Sequence, residues 1–189
     1  MDFYEVIRTR RSIRSFSDKR VPDDVLKRVL DAARIAPSGS NRQPWQFIVV
    51  ADPELKQSLV SACHNQRFIA AAPLVVAACG YDIEFDRGDW MGAHSAVGAP
   101  TAIVDVTIAM DHLILAARAE GLGTCWIGSF SDEQVKAILR VPEGWHVVAL
   151  TPLGYPGDAD AFTEVSERKP LEQVICHNTW QEQASKPGM

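Results

Sequence analysis

Ala36-Pro37-Ser38-Gly39-Ser40-Asn41-Arg42-Gln43-Pro44-Trp45-Gln46-Phe47-Ile48-Val49-Val50 is the stretch on which the reading of this chain turns. Turn-formers and amide side chains run straight into an apolar strand, Phe47 to Val50. Gly and Pro remove regular backbone pairing, so the N–H groups and the Ser and Asn side chains of residues 37–43 need partners outside a helix or ladder. A segment of that kind, anchored on a strand, reads as a binding loop.

Upstream, Pro22, Asp23 and Asp24 open a helix with acids in its first turn, and Val25, Leu26, Val29, Leu30 and Ala33 form its apolar stripe. Pro37 ends that helix, because the residue before a proline avoids the helical region. Earlier still, Arg10-Arg11-Ser12-Ile13-Arg14-Ser15-Phe16 gathers three guanidinium groups and two hydroxyls around one Ile. Phe3, Val6 and Ile7 at helical spacing predict a short opening helix, so the arginines leave a helix end. Ten of the nineteen Lys and Arg residues fall before position 43, against six of the 24 acids, so that segment carries +4 and the remainder −9. The basic residues are interleaved with apolar ones, which favours a small-anion site over a nucleic-acid arm. The net charge of −5 argues the same way.

Downstream, helical spacing through Leu55 and Leu59 precedes a strand from Leu74 to Cys79. Residues 81–100 read as an irregular loop carrying Phe85, Trp90 and Met91, with the length of a functional lid. Thr101 to Glu120 is apolar nearly all round. A helix of that pattern must be buried on every side, by its own domain or with help from a second subunit. Gly121 stops it. Ser131 and Gln134 have capping-box spacing ahead of a helix through Val135, Ile138 and Leu139, and a strand from Trp145 to Leu150 follows.

At 189 residues with 47% hydrophobic composition, one globular domain spanning 1–189 is expected. Asp105, Asp111 and His112 interrupt the longest apolar run, which excludes a membrane span, and the start Met-Asp-Phe-Tyr-Glu lacks a secretory pattern. A cytoplasmic location is implied. Cys63, Cys79, Cys125 and Cys176 show no C-x-x-C spacing and the five histidines no ligand spacing, so no metal site is expected.

Five segments in one order carry a further signal: residues 10–16, the loop 36–45, Gly121-Leu122-Gly123-Thr124-Cys125-Trp126-Ile127-Gly128-Ser129-Phe130, Leu153-Gly154-Tyr155-Pro156, and Arg168-Lys169-Pro170-Leu171. In these the chain resembles the flavin-dependent nitroreductase family, in its short form, over nearly its whole length. The resemblance implies an α+β fold: a three-layer α-β-α sandwich with a mostly antiparallel central sheet, in an intertwined homodimer with an FMN in each interface. It also implies that a C-terminal segment, from about residue 168 to 189, reaches onto the partner, anchored by Leu171, Val174, Ile175 and Trp180.

Under that resemblance, Arg10 and Arg168 hold the FMN phosphate, with Lys169 and Arg11 as secondary cations, since forked guanidinium donors match a phosphate dianion. Ser12 reaches the ribityl chain or the phosphate. Arg14 stands near the pyrimidine end, where positive charge favours the reduced ring. Pro37, Ser38, Gly39 and Asn41 contact the cofactor bound by the other subunit. Trp126, Ile127, Gly128 and Ser129 present backbone N–H groups to the ring, and Gln66 offers an amide to its polar edge. No catalytic acid or base is required of side chains. The expected activity is ping-pong transfer from NADH or NADPH, through FMN, to a nitroaromatic, quinone or similar small-molecule acceptor stacking on the ring. An FMN storage or sensor protein, and a dehalogenase-like member of the family, are the alternatives.

Overall fold

Five consecutive side chains of one strand set the layers. Val75, Ala77 and Cys79 belong to one apolar cluster, Val76 and Ala78 to the other, and all five are essentially inaccessible. A strand buried on both faces must have helices above and below it. The computed structural model, which describes residues 1–81, 101–165 and 167–180, supplies both layers.

The elements are α1 (Phe3–Thr9), α2 (Asp23–Arg34), β1 (Trp45–Val50), α3 (Pro53–Ala62), α4 (Phe68–Ala71), β2 (Leu74–Tyr81), α5 (Thr101–Ala119), β3 (Gly123–Thr124), α6 (Asp132–Leu139) and β4 (Trp145–Gly154), with short 3-10 turns at Gly39–Asn41 and Leu171–Gln173. The strands pair in the order β1-β2-β4-β3, each pair antiparallel. Helices α2 and α5 cover one face through Val29, Ala33, Val106, Met110 and Leu113. Helices α3, α4 and α6 cover the other through Leu59, Ile69 and Val135. This is the expected three-layer α+β arrangement.

Local signals explain most boundaries. Asp52 caps α3 by accepting the N–H groups of Glu54 and Leu55 at 2.9 Å, and the Ser131 hydroxyl accepts the N–H of Gln134 at 3.4 Å at the start of α6. Gly121 leaves α5 with φ +76, a conformation that stops a helix cheaply only at glycine. The strands run further than their apolar patterns indicate. β1 begins at Trp45, β2 continues to Tyr81 and β4 to Gly154, because pairs such as Trp45 with Gly80 and Gly123 with Gly154 extend the ladders through residues without alternation. The expectation for α5 needs correction within one chain. Ile103 and Val104 are each 41% exposed, and Thr107 and Asp111 also face outward.

Residues 12–17 extend the β3 edge. Ser12 bridges Thr124 in parallel, the Ile13 N–H donates to the Thr124 carbonyl at 2.8 Å, and the Ser17 N–H donates to the Tyr155 carbonyl at 2.9 Å. Buried Ile13 lies flat on Gly123, where an added Cβ would stand 2.8 Å from three Ile13 side-chain atoms. Gly123→Ala is therefore expected to destabilise the protein by about 1–3 kcal/mol through overpacking. Calorimetry should show the melting temperature reduced by ~2–4 °C for each kcal/mol lost.

Candidate functional site

The first half of the site grows from the end of α1. The Thr9 hydroxyl donates to the Glu5 carbonyl at 2.6 Å, and the Arg10 N–H closes the last turn onto the Val6 carbonyl at 2.9 Å. Arg10 itself is extended, φ −63 and ψ 124, which launches the arm toward β3. Because the arm then runs like a strand, side chains alternate. Ile13 enters the core while Ser12 and Arg14 face outward. The Arg14 guanidinium lies over the Phe68 ring of α4, 5.8 Å from its centroid.

Arg118, a buried cation of α5, ties this arm to the C-terminal chain. Its Nε donates to the Thr9 hydroxyl at 3.0 Å and its guanidinium stacks 3.9 Å from the Phe162 ring centroid. The chain then follows α1: the Val165 N–H donates to the Arg8 carbonyl at 3.1 Å, and Arg11 donates to the Glu164 carbonyl at 3.1 Å. Arg168 is four residues beyond Glu164, hence within ~14 Å of that contact. It is exposed and donates to the carbonyl of its own neighbour Glu167.

Several arginines are neutralised by acids and others are not. Arg8, Arg20, Arg28 and Arg34 each have an acidic partner, Glu164, Asp23, Asp24 with Glu120, and Asp31. Among the described residues, no carboxylate pairs with Arg10, Arg14 or Arg168. Arg10 and Arg14 lie on the arm beside β3 and Arg168 on the chain that follows α1, and a cation without an acidic partner is suited to pair with an anion.

The turn after β3 adjoins the arm. The Cys125 N–H donates to the Thr151 hydroxyl at 3.1 Å, and Ile127 exchanges both backbone bonds with Leu150 at 2.9 and 3.0 Å. Trp126, Gly128 and Ser129 consequently face outward. The Trp126 indole folds over Gly128, with Nε1 3.4 Å from where a Cβ would be. Ile127, expected beside a cofactor, is 2% exposed with its N–H committed to Leu150, so it anchors the turn. The Ser131 N–H donates to the Ala62 carbonyl at 2.9 Å, bringing this turn against residues 62–68. There the Gln66 amide nitrogen donates to the Cys63 carbonyl at 3.0 Å, leaving its oxygen as the available polar atom.

The second half is the Pro37 loop. The Asn41 N–H donates to the Ser38 carbonyl at 3.0 Å, the Ser38 hydroxyl accepts the Gln43 N–H at 2.9 Å, and the Gly39 N–H donates to Asp105 Oδ1 at 3.2 Å. Ser40, Asn41 and Gln43 have φ of 52, 56 and 53, the left-handed region that residues other than glycine seldom occupy. Pro37, Gly39 and Asn41 are exposed.

The two halves do not meet within one chain. The loop abuts β1 and the arm abuts β3, at opposite edges of the sheet, three strand spacings or ~14 Å apart. A groove of about 490 Å³ between α2 and β1, floored by Leu26, Leu30, Trp45 and Phe47, contains none of the residues expected to bind a cofactor. Phe85, Trp90 and Met91 of the 81–100 segment lie outside the described residues, as does the chain after Trp180.

Asp105, Arg118 and Thr151 were not singled out as site residues from sequence. The available signal was a charge inside a helix otherwise apolar, which speaks against a membrane span but does not say what the charge holds. Burial pushes the thiols of Cys63 and Cys79 up to about 11, so neither is a nucleophile near neutral pH. Among the described residues, no group of three His, Cys, Asp or Glu side chains is placed to hold a metal, and no helix is long and apolar enough to cross a membrane.

Comparison with known proteins gives this geometry its context. The model of the family described as "Nitroreductase family" matches residues 7–155. An NADH dehydrogenase of Thermus thermophilus is 32% identical, over 88% of this chain and 91% of that protein. The iodotyrosine deiodinase 1 of Sus scrofa is 27% identical, over 92% of this chain and 68% of its own. Among solved structures, the NADPH:FMN oxidoreductase from Vibrio harveyi complexed with NAD+ superposes with a TM-score of 0.82 at 28% identity, covering 96% of this chain and 79% of that one.

Proposed function

This chain belongs to the nitroreductase family, and on that premise we propose that it is a homodimeric FMN oxidoreductase that takes hydride from NADH or NADPH and passes it to a small planar acceptor, a nitroaromatic or quinone. One observation carries the reading: an arm bearing Arg10 and Arg14, neither with an acidic partner, adjoins an outward turn at one sheet edge, while the Pro37 loop is displayed at the other. A ligand with a phosphate at one end and a flat polar ring at the other fits the first edge. The second edge serves the same ligand only in another copy.

In this reading Arg10 and Arg168 hold the phosphate, Arg11 and Lys169 add positive potential, and Ser12 offers its exposed hydroxyl. Bound FMN supplies hydride acceptance and donation, so no side chain need act as acid or base. Gly128 admits close backbone approach, and the outward turn offers the N–H groups of Trp126 and Ser129. Arg14 places a fixed positive charge where the ring becomes more negative on reduction. Pro37, Ser38, Gly39 and Asn41 come from the partner, so assembly completes the site. The exposed apolar side of α5 supplies a surface for that assembly. The tail supplies another: Leu171, Val174 and Trp180 are 68%, 62% and 87% exposed in a single chain, which supports a segment from about 168 onward seated on the partner. We place the enzyme in the cytoplasm, where reduced nicotinamide is available.

Anaerobic mixing of the FMN-loaded protein with NADH and, separately, NADPH tests this directly. Rapid bleaching with at least one of them, and recolouring on addition of a nitroaromatic or quinone, is the expected result. No bleaching with either would leave the FMN storage reading in its place. The similarity to a deiodinase over 92% of the chain favours offering iodotyrosine as a second acceptor. Iodide release from the reduced protein would then assign the dehalogenating reading.

A further inference from the structure

Among the described residues, one carboxylate is buried in the helix layer. Asp105, on α5, is 8% exposed, and its Oδ1 accepts the Gly39 N–H at 3.2 Å across 66 positions of sequence. Its other oxygen lies 3.8 Å from where a Cβ on Gly39 would stand, so the carboxylate is in contact with the loop at Gly39. Burying a carboxylate in an apolar helix is unfavourable unless it holds something. What it holds is the loop whose Ser40, Asn41 and Gln43 occupy the left-handed region, a conformation that persists only where the surroundings over-determine it. The bonds within the loop, Gln43 N–H to the Ser38 hydroxyl and the Gln43 amide to the Asn41 carbonyl at 3.2 Å, hold its shape. Asp105 ties that shape to the helix. Ile103 and Val104, immediately before Asp105, are exposed, so the stretch of α5 that grips the loop also displays the apolar surface.

We propose that Asp105 is a positioning residue: through the Gly39 N–H it fixes the 37–41 loop in the form in which one protomer lends it to the FMN of the other. The inference rests on the two-chain FMN site proposed above. It adds that the lent loop is set by a carboxylate on the assembly helix.

The test compares Asp105→Asn and Asp105→Leu as full-length dimers. Asn keeps an acceptor oxygen in place, and Leu removes it at similar volume. FMN titration by fluorescence is expected to give the Asn variant an affinity within about threefold of wild type and the Leu variant one at least about tenfold weaker. Both should sediment as wild type does. Both apo variants should keep a cooperative melt, so that any affinity lost by Leu is read on a folded protein. Amide exchange of the 37–43 peptide in the apo protein reads the same tie without cofactor: faster in Leu, unchanged in Asn. Wild-type affinity in the Leu variant, failure of Asn to rescue, or equal exchange in all three proteins would overturn the proposal. A wild-type protein that binds no FMN while the exchange pattern holds would sink the two-chain FMN reading and leave the Asp105 tie standing.

Discussion

The double variant Arg10→Ala/Arg168→Ala is expected to purify as a folded, colourless protein whose affinity for FMN is reduced by about 10²–10⁴-fold, each single variant losing about 10–100-fold, since charge-assisted bonds to phosphate are among the strongest available. The fold should survive. Among the described residues neither guanidinium pairs with a carboxylate, so truncation leaves no acid buried without its partner. Arg34→Ala is the matched control. Its guanidinium sits 2.6 Å from Asp31 on the same helix, an exposed pair that contributes little, and FMN affinity should not change. Added salt should weaken FMN binding to wild type more steeply than to the double variant, because screening acts on the charges that remain. A yellow double variant with wild-type affinity would remove Arg10 and Arg168 from the phosphate site.

Different parts of this architecture were legible to different depths. Helices were readable where periodicity and punctuation agreed, as for Val25, Val29 and Ala33 between Pro22 and Pro37, or for the run capped by Ser131. The existence of β2 was also readable, as an apolar strand from Leu74 to Cys79. Most strand ends were not, because Trp45, Gly80 and Gly154 continue a ladder only by virtue of their partners, and pairing is a long-range property. The four-residue helix Phe68–Ala71 was missed for a related reason: one turn has no period to detect.

The site divides the same way. Residues 10–16 and 36–45 were visible as chemistry, guanidinium groups and turn-formers. Which edge of the sheet each would occupy was invisible, because strand order is not written locally. Helix α5 shows the limit most plainly. Its composition calls for burial on all sides, and one chain leaves a stripe through Val104, Thr107 and Asp111 uncovered. Composition records the apolar side chains that need cover, whereas the fold shows which of them the chain's own layers cover.

That stripe yields the second large effect. Val104→Arg combined with Ile108→Arg is expected to give a monomer that retains secondary structure and binds no FMN. Val104 is 41% exposed and Ile108 half-buried, so in a single chain long cationic side chains reach water at little cost. In an assembled interface the same two cations would be desolvated, at several kcal/mol for the one at 104, which Asp111 lies too far along the helix to offset, enough to shift a dimer constant by orders of magnitude. Sedimentation should report the monomer mass, and FMN titration should report lost affinity although Arg10, Arg14 and Arg168 are intact. The loop 37–41 of the same chain lies at the far edge of the sheet and cannot replace the one a partner would lend. A variant that stays dimeric would move the interface off α5. A monomer that still turns yellow would mean that one sheet edge binds the cofactor alone, and that the Pro37 loop serves some other contact.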